Sequence, residues 1–387
     1  MTNKYSGNAD DTISYATRNI PEVVNAAGTL TSLGGCRTRP EAMKAMLAAA
    51  DQFIPFEVLQ RKMGEHLAQV LGVPAAMVSA GAAPGLTLAA AACMVGYDRV
   101  SAAQLPAPPI KNKIIIQCSH RSPFERAILL AGASLVQVGD AIRTRAIDLE
   151  SAIDDQTAAV VFFLQAEMLA SSLSLDDTLA IAHTQGLPVI VDAAAELPPK
   201  SNLWELAQRG ADLVVFSGGK DLRGPQASGL MVGAEALIES ALMQSAPHEH
   251  VAGRVLKPGK EAIMGLVAAV EAYLAEDETA RFAEWEQIAK LLEDALGAIP
   301  GIRVDRFYPS QPFIQPACTP RVGVCLDDSV PLTIQELERA LWEGMPPIAT
   351  EIIQGKLVLN THTLTLSETE IILERIQDSL HKSSEDF

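Results

Sequence analysis

Three short segments hold residue types that can do chemistry together. Ser79-Ala80-Gly81-Ala82-Ala83 leads through Pro84 into an alanine-rich stretch with helical character. Small residues ahead of a helix let an anion approach its free backbone N–H groups. Val189-Ile190-Val191-Asp192 carries an apolar run into a carboxylate. Leu213-Val214-Val215-Phe216 runs into Ser217-Gly218-Gly219-Lys220, which puts a lysine just past a buried strand, 28 residues after Asp192. Alone, each is ordinary: a helix start, an N-cap, a solvated loop lysine. A lysine amine kept in a partly desolvated cleft, however, loses proton affinity and becomes a nucleophile toward carbonyls.

In that chain order on one sheet, a phosphate cradle, a carboxylate and a lysine are what pyridoxal 5′-phosphate requires. Ala80, Gly81 and Ala82 would take the phosphate, with Ser217 adding a hydroxyl. Asp192 would pair with the pyridinium nitrogen and Lys220 would form the Schiff base. His120, just past the Ile114–Gln117 run, is placed to stack on the ring. Arg37, Arg39, Arg121 and Arg223 are candidates for an anion clamp on the substrate, since a bidentate fork suits a carboxylate or phosphate. Arg223, closest to Lys220, leads and Arg37 comes second; Lys257 and Lys260 are lesser candidates. No His-Glu-x-x-His or Gly-x-Ser-x-Gly is present, and His248-Glu249-His250 reads as a solvated loop, so no metal is assigned.

The elements that must position these residues follow from patterning. Short β-branched runs recur at Ile114–Gln117, Leu135–Val138, Val160–Phe163, Val189–Val191, Leu213–Phe216 and Leu230–Val232. Helical periodicity fills most of the gaps, at Pro123–Ala131, Asp148–Ile153, Leu175–Gln185 and Leu203–Arg209. Strands apolar on both faces and joined by helices predict an α/β fold with a mostly parallel central sheet, covered on both sides. No helix precedes Leu230–Val232, which makes one antiparallel strand plausible. Open parallel sheets hold ligands at the carboxyl ends of their strands. Glu41–Ala50, Phe56–Leu71, Pro84–Met94, Glu261–Leu274 and Arg281–Leu296 read as helices. Beyond them, strand-like pieces at Ile302–Val304, Val322–Leu326 and Lys356–Leu359 alternate with helices at Ile334–Trp342 and Glu368–Leu380, a smaller α+β domain. The expected organisation is residues 1–55 as an N-terminal segment on the small domain, 56–255 as the cofactor-binding domain, and 256–387 as long helices with the small domain.

Composition excludes other classes. The chain has 387 residues, 48% of them hydrophobic, which rules out a disordered chain. With 30 basic and 47 acidic residues the formal charge is −17, and no basic run is present, so a nucleic-acid partner is not expected. The first residues, Met1 to Asp11, lack a signal-type apolar core, and no apolar run is long enough to span a bilayer. Cys36, Cys93, Cys118, Cys318 and Cys325 form no Cys-x-x-Cys pair, which suits reduced thiols and a cytoplasmic location.

Asn25-Ala26-Ala27-Gly28-Thr29-Leu30, Ser79-Ala80-Gly81-Ala82-Ala83 and Ser217-Gly218-Gly219-Lys220-Asp221-Leu222-Arg223-Gly224-Pro225-Gln226-Ala227 resemble bacterial selenocysteine synthase (L-seryl-tRNA selenium transferase) and its smaller relatives, which include D-glucosaminate-6-phosphate ammonia-lyase. The likeness runs from about Val24 to about Ala272. It implies a fold-type-I pyridoxal-phosphate enzyme with Lys220 as its Schiff-base lysine, working as a homodimer or larger oligomer. Selenocysteine synthases carry an Asp where this chain has Gly219, and a tRNA-binding module ahead of the Asn-Ala-Ala-Gly motif, where only about 24 residues stand here. The expected activity is therefore a lyase acting on a small amino acid or amino-sugar acid, by loss of a β-hydroxyl to give a 2-keto acid and ammonia. Selenium or sulfur transfer on an aminoacyl-tRNA is the alternative, along with racemase, aldolase or aminotransferase chemistry.

Overall fold

The computed structural model describes residues 14–107, 111–166, 170–309 and 316–385. They form two compact units, the larger within Gly34–Glu278 and Pro309–Cys318, the smaller within Met1–Leu33, Thr279–Tyr308 and Thr319–Phe387. The division thus falls at 33/34 and 278/279, whereas patterning set the boundaries at 55/56 and 255/256. The physical reason is packing: the helix Pro40–Ala50 lies along the helix Lys260–Ala275, and both belong to the larger unit.

The larger unit is built on seven strands: β1 (Ala75–Ser79), β2 (Lys113–Gln117), β3 (Ser134–Val138), β4 (Thr157–Phe163), β5 (Val189–Asp192), β6 (Leu213–Ser217) and β7 (Gly229–Gly233). Their order across the sheet is β3-β2-β4-β5-β6-β7-β1. β7 runs antiparallel to both neighbours, and all the other pairings are parallel. Alternating side chains explain why these runs are strands. Val160, Phe162, Val189, Val191, Val214 and Phe216 enter the core on one face, while Val161, Phe163, Ile190, Leu213 and Val215 enter the core on the other. Each such side chain contributes roughly 1.5–3 kcal/mol of burial. A polar replacement at any of them would break the sheet rather than one loop.

β2 leads to β3 on one side, and the chain then returns past β2 to β4 on the other, so the strand order reverses there. Crevices at such reversals, outside the carboxyl ends, are where open sheets bind ligands. β1 was not legible in the sequence. Its residues, Ala75-Ala76-Met77-Val78-Ser79, include a single β-branched side chain, and pairing with β7 makes the strand. The helices Arg99–Gln104 and Glu235–Met243 also went unread.

In the smaller unit, β8 (Ile302–Phe307), β9 (Arg321–Leu326), β10 (Glu351–Ile353) and β11 (Lys356–Asn360) form an antiparallel sheet in the order β10-β11-β9-β8. Its core joins Val322, Val324, Leu357 and Leu359 to Leu337, Leu341, Ile372 and Ile376 of the helices Ile334–Glu343 and Leu366–Glu385. Thr333 and Glu336 close a reciprocal capping box at the start of the first helix. Val24–Asn25 pairs with Ile348–Ala349, so the start of the Asn-Ala-Ala-Gly motif belongs to this unit. Among the described residues, no helix is long and apolar enough to cross a membrane.

Candidate active site

Strand register brings the sequence candidates to one sheet edge. Phe163 of β4, Asp192 of β5 and Val215 of β6 stand side by side. Two residues further on, Ser217 lies opposite Gly229, and Gly229 opposite Ser79. The Ser79–Ala82 turn folds back over β7 so closely that a Cβ on Gly229 would lie 2.6 Å from the Gly81 carbonyl, which demands a residue without one. Ser217 and the turn are thereby neighbours across a single strand.

Gly81 caps the helix Ala82–Val95, and the ladder begins with Gly85 N–H donating to Gly81 O at 3.0 Å. The amides of Ala82 and Ala83 precede that bond, leaving them outside the helical ladder at its positive end. Ser79 Oγ donates to Gly81 O at 2.8 Å and holds the turn. An anion of phosphate size is what such a turn accommodates.

Asp192 is buried, and its Oδ1 accepts from Ala194 N–H at 2.9 Å. Burial pushes its carboxyl above the usual range, while the Ala194 amide and the Lys220 charge pull it back. Lys220 is half-buried on the loop after β6. Burial lowers the proton affinity of its amine, and Asp192, Glu196 and Cys36 oppose that shift. The amine therefore reaches its neutral, nucleophilic form at lower pH than an exposed lysine.

The lysine loop is held at several points. Gly218 N–H donates to Ser228 O at 2.8 Å, Gly224 N–H to Gly218 O at 2.8 Å and Arg223 N–H to Lys220 O at 2.9 Å. Cys36 N–H reaches Gly219 O at 3.0 Å. Arg223 sits in the left-handed region at φ 54°, a strained choice for a residue with a side chain. Its Nε donates to Arg37 O at 3.1 Å, which ties the two sequence candidates for an anion clamp together.

His120 is fully buried, edge-on to Phe162 with ring centroids 4.5 Å apart. Its Nδ1 accepts from Phe163 N–H at 3.1 Å, so Nε2 must carry the proton, and Nε2 lies 3.1 Å from Ser172 Oγ. Burial drives its pKa down to about 4. With both nitrogens engaged and no surface exposed, the ring is a neutral core group that does not carry protons and presents no open face for the stacking role read from the sequence.

The remaining sequence candidates have other work. Arg39 is buried, donating to Leu222 O at 2.9 Å and to Glu276 Oε2 at 2.8 Å. Arg121 is paired with Glu125 at the surface. Lys260 Nζ donates to the carbonyls of Ala49, Ala50 and Gln52 at 2.6, 2.7 and 2.6 Å, closing the end of the helix Pro40–Ala50. Missed entirely were Cys36, whose amide reaches Gly219 O, Glu196, whose charge acts on the Lys220 amine, and the Asp221–Tyr273 pair. Glu196 offered one signal, a second carboxylate four positions after Asp192. Cys36 offered none, because it arrives from a distant part of the chain.

The donors fit pyridoxal phosphate: an amine of lowered proton affinity, a buried carboxylate, and a hydroxyl beside an anion-sized turn. With the strand order, they define a fold-type-I pyridoxal-phosphate-dependent enzyme. The chain belongs to the L-seryl-tRNA selenium transferase family, whose model matches residues 23–294. It is 30% identical over 373 residues to D-glucosaminate-6-phosphate ammonia lyase of Salmonella typhimurium (strain 14028s / SGSC 2262), covering 94% of this chain and 97% of that one. A solved structure of D-glucosaminate-6-phosphate ammonia-lyase superposes with a TM-score of 0.83 at 30% identity, over 96% of this chain and 98% of that chain. A 5′-C-glycyluridine monooxygenase-decarboxylase from Streptomyces sp is 34% identical over 299 residues, 75% of this chain and 73% of that protein. Serine palmitoyltransferase from S. paucimobilis, solved with bound cofactor, shares the fold at a TM-score of 0.58 and 15% identity, over 94% of this chain and 89% of that chain.

Proposed function

We propose that the chain is an ammonia-lyase that takes a small hydroxylated amino acid or amino-sugar acid to a 2-keto acid and ammonia. The observation that carries this reading is the Lys220 amine, half-buried on the loop at the sheet edge and lowered in proton affinity by that burial. The choice of elimination over other outcomes rests on the end-to-end likeness to an ammonia-lyase.

When bound, pyridoxal phosphate supplies an aldehyde that condenses with amines and a ring that accepts an electron pair. In this reading the amides of the Ala80-Gly81-Ala82 turn and the Ser217 hydroxyl hold its phosphate. Asp192 keeps the ring nitrogen protonated, a task for a carboxylate that is buried but anchored by the Ala194 amide. His120, neutral and fully buried beyond β2, would back the cofactor site without taking up a proton. Lys220 holds the cofactor, yields to the substrate amine, and then removes the α-proton as a general base. Arg223 and Arg37 take the substrate's anionic end. A homo-oligomer in the cytoplasm is the proposed state: Leu47, Phe53 and Val255 expose large apolar side chains, and none of the five cysteines is in a disulfide.

The test is incubation of the loaded enzyme with D-glucosaminate 6-phosphate and with small hydroxy-amino acids. Carbonyl-reagent signal and free ammonia should rise together. Racemisation or amine transfer without ammonia would remove the lyase assignment. The family match keeps a selenium or sulfur transferase on aminoacyl-tRNA as the second reading. Retention of seryl-tRNA at about 0.15 M salt, tighter than the ~10⁻⁴–10⁻⁶ M of non-specific contact, would favour it; the charge of −17 favours the small substrate.

A further inference from the structure

The residues Gly34–Arg39 run along the lysine loop as a strap. Cys36 N–H donates to Gly219 O at 3.0 Å, Arg39 N–H to Arg223 O at 2.7 Å and Arg39 Nε to Leu222 O at 2.9 Å. Arg223 Nε returns a bond to Arg37 O at 3.1 Å. A side chain of the loop also reaches the first turn of the strap. The Gln226 amide nitrogen donates to Gly34 O at 3.0 Å and to Gly219 O at 3.2 Å.

Room for that amide is made by glycine on either side. A Cβ on Gly35 would collide with the Gln226 amide and with Gly219 O, and a Cβ on Gly219 would collide with the same amide. Gly34 and Gly35 also take the left-handed region, at φ 81° and 75°. Glycine costs backbone entropy on folding, and the gap it leaves here is filled by a polar group from an exposed residue. Apolar burial therefore does not account for Gln226. What it supplies at this place is the pair of donor hydrogens on its amide. Both bonds end beside the chemistry, since Gly219 precedes Lys220 and the Gly34 turn leads into Arg37.

Resting on the reading above, in which Arg223 and Arg37 take the substrate's anionic end, we propose that Gln226 is the positioning residue of that clamp. Its amide pins the first turn of the strap to the residue before Lys220. The Arg223–Arg37 bond then carries that register to the clamp. Without the amide, a turn of two glycines, the residues that resist rotation least, is released from the loop at its first carbonyl. The two arginines lose their fixed spacing, while Lys220 and Asp192 keep theirs. Gln226 thus acts on substrate binding and not on the proton steps at Lys220.

The first measurement needs no substrate. In the enzyme loaded with pyridoxal phosphate, amide hydrogen exchange is followed on the peptide spanning the strap. Gln226→Ala and Gln226→Glu should both speed exchange there, on the order of tenfold, because each lacks the donor while Glu keeps the shape. Wild-type exchange in Gln226→Glu would make shape, not hydrogen bonding, the cause and overturns the proposal. On an anionic amino-sugar acid, both variants should raise KM about tenfold and leave kcat within about twofold of wild type. A larger fall in kcat, or an unchanged KM, overturns the clamp role. A wild type that releases no ammonia overturns the lyase reading and the clamp with it; a wild type that does leaves the variants to judge Gln226 alone.

Discussion

Tyr273 Oη donates a 2.6 Å hydrogen bond to Oδ2 of Asp221, the residue next to Lys220. Both are buried, and Arg39, itself bonded to Leu222 O and Glu276, lies over the Tyr273 ring at 5.4 Å. The lysine loop is thus bolted from behind by the helix Lys260–Ala275, which has no part in the cofactor motifs.

Tyr273→Phe removes the donor and leaves a buried carboxylate short of one bond. A loss of about 1–3 kcal/mol is expected, read as a lowered denaturant midpoint with an unchanged slope. Stability equal to wild type would mean that the bond does not anchor the loop.

Gly219 stands where selenocysteine synthases carry Asp. A Cβ here would lie 2.6 Å from Gln226 Cα, a backbone atom that cannot swing aside. Gly219→Asp should therefore cost about 1–3 kcal/mol through overpacking and slow cofactor attachment to Lys220. A variant with wild-type melting and attachment would contradict this geometry.

His120, with its pKa at about 4, is neutral in the folded chain at every pH above that value. The unfolded histidine binds a proton below about 6.5, so between those limits the unfolded state holds more protons and stability rises with pH. The contribution, roughly 3 kcal/mol, is complete above about 6.5 and lost as pH falls toward 4. In the cofactor-free chain, His120→Asn should flatten that part of the stability–pH curve. An unchanged slope would contradict the burial of a neutral imidazole.

Asp192→Asn should still bind cofactor but slow turnover about 10²–10³-fold, since an amide cannot hold the ring nitrogen protonated. Near-normal rates would show that another group faces that nitrogen.

The strands of the parallel sheet were legible because they are apolar on both faces, and the lysine loop because its string is long. Observed β2 and β4–β6 begin or end within three residues of their expected bounds. β1 was not legible, since alanines take strand form only against Gly229–Gly233. Asp192 and Ser217 announced themselves by ending apolar strands, and Lys220 by following one. Glu196, Cys36 and Tyr273 did not, because their proximity to the lysine loop comes from tertiary packing. Arg39 and Lys260 misled for the same reason: a cation in sequence carries no sign of the carbonyls it will meet.

The most direct test of the cofactor assignment is chemical. The chain, loaded with pyridoxal phosphate, is reduced with borohydride, digested and mapped by mass. The adduct should fall on the peptide containing Lys220, and Lys220→Ala should abolish both the adduct and the turnover. An adduct on another lysine, or none after loading with excess cofactor, would contradict the account.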